Sequence, residues 1–128
     1  MKWLRGYWEN EDGAGAAEFA LVVMPFSALI FGIIHLCLML YANQNLQFAV
    51  EGAARCSSVM SATTCNTTGA VQSYAAGLYK GPNISATFAY TTAGCGNTVT
   101  GNGSYTLNAV LVSTTVPLVA TACFPSVH

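Results

Sequence analysis

The residues able to do chemistry in this chain are few, and the cysteines come first. Cys56, Cys65, Cys95 and Cys123 follow a long apolar run, and a fifth, Cys37, lies inside it. Four thiols beyond the run allow three pairings. Cys56 and Cys65 enclose only SSVMSATT, a loop short enough to close locally, and Cys95 and Cys123 would then tie the start of the last region to its end. A metal site is the other chemistry open to thiolates, but no C-x-x-C and no nearby histidine accompanies any of the four. Disulfides persist in oxidising compartments, which puts this part of the chain outside the cytoplasm. Each bridge adds about 2–4 kcal/mol, which suits a small domain poor in charge.

Acid–base and nucleophilic catalysis find no footing. Glu51 is the sole carboxylate beyond the apolar run, His128 is terminal, and no Ser-His-Asp set or pair of acids can be assembled. There is no phosphate-binding loop and no internal repeat. The expectation is a protein without enzymatic activity, cofactor or metal. A net charge of -1 and the lack of a basic cluster argue against nucleic acid. Only 7% of the residues are charged, and none of these lies beyond Lys80. The rest of the chain is rich in Thr, Asn, Ser and Gly, yet it carries too many Val, Leu, Tyr and Phe for disorder. Sequons at Asn66, Asn83 and Asn102 are read as chance in such a tail.

Positioning these residues falls to one stretch, Phe19–Ala42, which contains no Asp, Glu, Lys or Arg. As a helix it would be roughly 36 Å long, enough to cross a hydrocarbon core of about 30 Å. A buried helix of a soluble protein would show a polar stripe, whereas Ser27 and His35 do not make one. A membrane span is therefore expected. The run is too long for a signal peptide, and no Ala-x-Ala site closes it. Lys2 and Arg5 before it and Arg55 after it favour a cytoplasmic N-terminus. Pro25 predicts a kink or a locally melted turn. Ala20, Ala28 and Gly32 put small residues on roughly one face, where another helix could come close. His35 is expected to face a helix bundle, and Cys37 to pack as a small apolar group.

Beyond the span, Tyr41–Ser58 continues as an amphipathic stalk. Ala42, Leu46, Ala49, Val50 and Ala53 repeat at helical spacing, opposite Gln44, Gln47, Glu51 and Arg55. Thr68–Tyr79 predicts a short second helix. Ile84–Thr91 and Tyr105–Pro117 alternate as strands, with Gly94–Ser104 as a turn-rich connection holding at most a short strand at Asn97–Thr100. Leu118–Phe124 adds a last edge strand. The expected fold class is α+β: a long N-terminal transmembrane helix running into an amphipathic stalk, then a short helix and a small antiparallel β-sheet domain.

Glu18 is the remaining acid with a telling place, at the lip of the uncharged span and five positions after Gly13. At a helix N-terminus the macrodipole would favour it by at most about 1 kcal/mol. An acid at the edge of a membrane span otherwise marks a functional site. This stretch resembles type IV prepilins and pseudopilins, in which a short leader ends in Gly and the fifth mature residue is Glu. More closely, Gly13 with Glu18-Phe19-Ala20-Leu21, Phe31-Gly32-Ile33-Ile34 and LYANQNLQFAVEGAAR at Leu40–Arg55 resemble the TadE-like pseudopilins, or minor pilins, of the tight-adherence (Tad, Flp-type) pilus system. The acidic leader end, Glu9–Asp12, departs from the basic leaders commoner there.

The resemblance implies a type IV pilin-like architecture with three parts: a cytoplasmic leader at 1–13, a transmembrane and stalk helix at 14–58, and a disulfide-stabilised periplasmic α+β domain at 59–128. It implies processing between Gly13 and Ala14, and a role for Glu18 and Phe19 in assembly. It also implies a place in the bacterial inner membrane or the pilus. The partners would be other Tad pilins and minor pilins, a prepilin peptidase, the inner-membrane assembly platform and the lipid bilayer. A membrane-anchored periplasmic binding or scaffold domain unrelated to pili is the alternative, and it would need neither Gly13 nor Glu18.

Overall fold

The computed structural model describes residues 12–109 and 112–126. Helices α1 (Asp12–Val59) and α2 (Thr68–Leu78) precede strands β1 (Thr87–Ala93), β2 (Gly96–Ala109) and β3 (Val112–Phe124). The chain divides into two compact units, Met1–Leu36 and Cys37–His128. The fold is α+β, with a long apolar N-terminal helix, a short helix and a three-stranded antiparallel sheet.

In the first unit the described chain is helix alone. It is rich in Ala, Leu, Ile and Phe, of which Ala and Leu are strong helix formers. The helix runs unbroken through Pro25, so the expected melted turn does not form. Proline withdraws one donor from a long ladder, and the neighbouring bonds hold the rest. The hydroxyl of Ser27 donates to the carbonyl of Val23 at 2.7 Å, which satisfies it within its own helix.

The second unit has a conventional core. Ala42, Leu46, Ala49, Val50, Ala53 and Ala54 are fully covered, while Gln44, Glu51 and Arg55 stay exposed, as the helical spacing predicts. The amide of Gln47 donates to the carboxylate of Glu51 at 3.0 Å along the outer side. Helix α2 starts at a cap: the Thr67 hydroxyl accepts from the N–H of Ala70 at 3.1 Å. Its Val71 and Ala75 enter the core, where Ile84, Val99, Leu118 and Ala120 meet them.

The sheet order is β1-β2-β3. Here the strands differ from those expected. Tyr105–Pro117 is not one strand but two halves of a hairpin, in which Ala109 pairs with Val112 and Ser104 with Pro117. The glycine-rich stretch taken for a connection is most of β2, the central strand. Glycine weakens an isolated strand, but it is required where a backbone lies close against another element. A Cβ on Gly101 would stand 2.9 Å from Leu46 Cδ1, 2.9 Å from Val50 Cγ1 and 3.1 Å from Phe88 Cε1. Gly96 opens β2 at a φ of 123°, which side chains rarely adopt, and its Cβ would meet the carbonyl oxygen of Phe124.

After α2 the phenol of Tyr79 donates to the carbonyl of Pro82 at 2.6 Å. Burial, with a smaller contribution from Tyr41, pushes this phenol above the ordinary tyrosine range. The neutral form is therefore favoured by folding. The stability tied to it is intact below about pH 10, the unfolded value, and is lost as pH rises toward the folded one. In alkaline denaturation, Tyr79→Phe is expected to lose less stability than the wild type as pH rises above about 10. Equal losses would mean that Tyr79 takes no part.

Candidate functional site

The first unit holds the residues singled out at the span's edge. Gly13 lies in the first turn of α1, exposed, with nothing within 4 Å of where a Cβ would sit. The Gly13–Ala14 bond is thus helical, and cleavage would require the first turn to unwind, a change that frayed helix ends make readily. Residues 1–11, most of the leader, and His128 lie outside the described residues.

Glu18 is the seventh residue of α1 and is exposed. Dipole stabilisation fades within the first turn. Counted from Asp12, Glu18 lies beyond that turn. Phe19 beside it is 70% exposed. From there to Leu38 the large apolar side chains point outward, among them Leu21, Val22, Met24, Phe26, Leu29 and Phe31. In water each would forfeit about 1.5–3 kcal/mol relative to burial. The helix is long and apolar enough to cross a membrane, and none of its most apolar stretch is buried in the protein itself. These side chains are left open to lipid or to other helices. Nδ1 of His35 is covered without a hydrogen-bond partner, and Cys37 is a free, exposed thiol.

Residues 13–55 match the family model described as TadE-like protein. Over that stretch the chain is similar to TadE-like proteins. The TadE-like stretch takes in Gly13, Ala14, Glu18, Phe19 and Pro25 together with the core-facing positions Ala42 to Ala54, so it covers the uncovered helix and the part of α1 on which the second unit is built. No curated protein and no solved structure matches the chain.

In the second unit, outside the TadE-like stretch, Cys56 bonds Cys65 and Cys95 bonds Cys123, with Cα separations of 5.9 and 6.3 Å. The first closes the turn between α1 and α2, and the second ties the start of the β2–β3 hairpin to its end. Among the described residues no three His, Cys, Asp or Glu side chains come together as a metal centre. Sequence reasoning missed one cluster. The Tyr90 hydroxyl donates to Asn97 Oδ1 at 2.8 Å, and Asn97 Nδ2 donates to the Ser58 hydroxyl at 3.2 Å. Residues 39 positions apart in sequence give no local signal of such a contact.

Proposed function

We propose that the chain is a minor pilin or pseudopilin that takes part in assembly of a Tad, Flp-type, adhesive pilus. The observation that carries this is the TadE-like match over 13–55, which falls on a helix whose apolar side chains the protein leaves uncovered. In this reading α1 sits in the bacterial inner membrane and packs against the helices of other pilins. The N-terminus is cytoplasmic, and the disulfide-bonded unit lies in the periplasm. No enzymatic activity is involved. A prepilin peptidase hydrolyses the Gly13–Ala14 bond on the cytoplasmic side, and the assembly platform then receives the mature chain.

Glu18 gives the helix its register. Unpaired in apolar surroundings, its carboxylate would cost several kcal/mol or take up a proton. The amino group that cleavage frees at Ala14 would offer a cation at nearly the same height on a neighbouring helix. Pairing the two offsets the burial of both and fixes one helix axially against the next. Glu18→Ala should insert in membranes, begin at Ala14 by intact mass and keep both disulfides, yet cross-link less to pilin-type partners and give fewer surface pili. Normal cross-linking and normal pili in this variant would rule out the role of Glu18. A wild-type chain that still begins at Met1 would rule out processing.

A further inference from the structure

Ser57, Ser58 and Asn97 are the only buried polar side chains among the described residues, and all three line one open cleft of about 570 Å³ in the second unit. The cleft lies between the last turn of α1, the disulfide-closed turn, the start of α2 and the strands β1 and β2. Its volume is that of small-molecule sites, about 300–1,000 Å³.

The floor is fixed before any ligand arrives. Tyr90 holds Asn97 Oδ1 and Asn97 holds Ser58. Ser58 donates to the carbonyl of Ala54 at 3.2 Å, and Ser57 to the same carbonyl at 2.8 Å. These bonds leave capacity unused. Asn97 keeps a second N–H, and the oxygens of Tyr90 and Ser57 keep lone pairs. Donors and acceptors therefore stand side by side, held by the α1 helix and the central strand of the sheet.

The lining selects the ligand class. It consists of Ser, Thr, Asn, one tyrosine and the half-cystine Cys65, with no Lys, Arg, Asp or Glu. An anion would find only the start of α2, worth about 0.3–1 kcal/mol at an exposed site. A cation would find no carboxylate. An apolar ligand would cover the spare N–H of Asn97 without giving it a partner, at about 1–3 kcal/mol. A peptide strand needs pockets for alternate apolar side chains, and the lining offers none. A sugar matches each feature. Its hydroxyls both donate and accept, it carries no charge, and its C–H face suits an aromatic ring such as that of Tyr90.

We infer that this cleft binds a neutral carbohydrate, one or two sugar rings long, with Asn97, Ser57 and Tyr90 on its hydroxyls. The inference is independent of the assembly role of α1, since every lining residue lies in the second unit.

The full chain in a detergent without a sugar headgroup should be screened on arrays of neutral oligosaccharides, anionic oligosaccharides and peptides, with hits titrated by calorimetry. Free and polymer-linked forms of a bound neutral sugar then separate the soluble from the surface-borne source. A neutral oligosaccharide should bind saturably. Ser61→Trp, at the exposed rim, should weaken that binding at least tenfold while leaving both disulfides and the circular dichroism unchanged. Tyr90→Phe, which keeps the ring and removes the hydroxyl, should weaken it several-fold. No saturable neutral sugar, preferential binding of anionic sugars or peptides, or a Ser61→Trp variant that binds as the wild type does would each overturn the inference.

Discussion

Replacing Cys95 and Cys123 together by serine is expected to lower the stability of the second unit by about 4 kcal/mol, and replacing Cys56 and Cys65 by about 3 kcal/mol. The order follows from loop length. A bridge acts mainly by restricting the unfolded chain, and it removes more entropy when it closes a longer loop. The separations are 28 and 9 positions. A domain of this size has a net stability of only about 5–15 kcal/mol, so loss of either bridge removes a large share of it. The Cys95–Cys123 bridge also stands at the open end of the hairpin, where Thr98 pairs with Cys123 and its hydroxyl donates to the Cys123 sulfur at 3.2 Å. Denaturant titration of the full chain in detergent, followed by near-ultraviolet circular dichroism, measures the difference. If the longer loop costs no more than the shorter one, unfolded-chain entropy is not what these bridges supply. Residual structure in the unfolded state would then be the explanation to pursue.

Gly101→Leu is expected to destabilise the same unit by about 1–3 kcal/mol or more. Gly101 pairs with Phe88 on one side and Ala120 on the other, in the central strand. Leu46 and Val50, which its Cβ would press, are both fully covered and have nowhere to retreat. The branched end of a leucine would have to push the strand away from α1, and every contact along that face would loosen. Leu46→Ala alone is expected to cost about 2–5 kcal/mol through the cavity it leaves. Combined, the two should cost less than their sum, because the truncated side chain makes room for the added one. A coupling of about 0.5–3 kcal/mol is expected from residues in contact. Strict additivity would show that Gly101 does not lie against Leu46. Asn102→Leu, one position along and exposed, serves as the control and should be nearly neutral.

Much of this protein could be read without its structure because the signals were periodic or long. An unbroken apolar run needs no partner to announce a helix that lipid can cover. The repeat of Ala42, Leu46, Ala49, Val50 and Ala53 identifies a core face whatever packs on it. The short loop between Cys56 and Cys65 makes their bond a local event. Gly13 and Glu18 stand out by their place at the lip of the apolar run, and the roles proposed for them come from the resemblance to prepilins.

The sheet was different, because its strands are defined by what they lie against. Pattern alone joined Tyr105–Pro117 into one strand, since Thr, Val and Leu alternate across the reversal where Ala109 meets Val112. Pattern also assigned the glycines at 101 and 103 to a loop. Only the packed structure shows that glycine is needed there: β2 passes so close to Leu46, Val50 and Ile84 that a Cβ has no space. The Ser57–Ser58–Asn97–Tyr90 cluster likewise exists only once the end of α1 and the first two strands meet. The sequence by itself determined the apolar helix, its core-facing stripe and the acid at its edge, because those follow from spacing along one element. The tertiary structure alone decided the strand boundaries, the tolerance for glycine and the polar cleft, because those depend on distances between elements far apart in the chain.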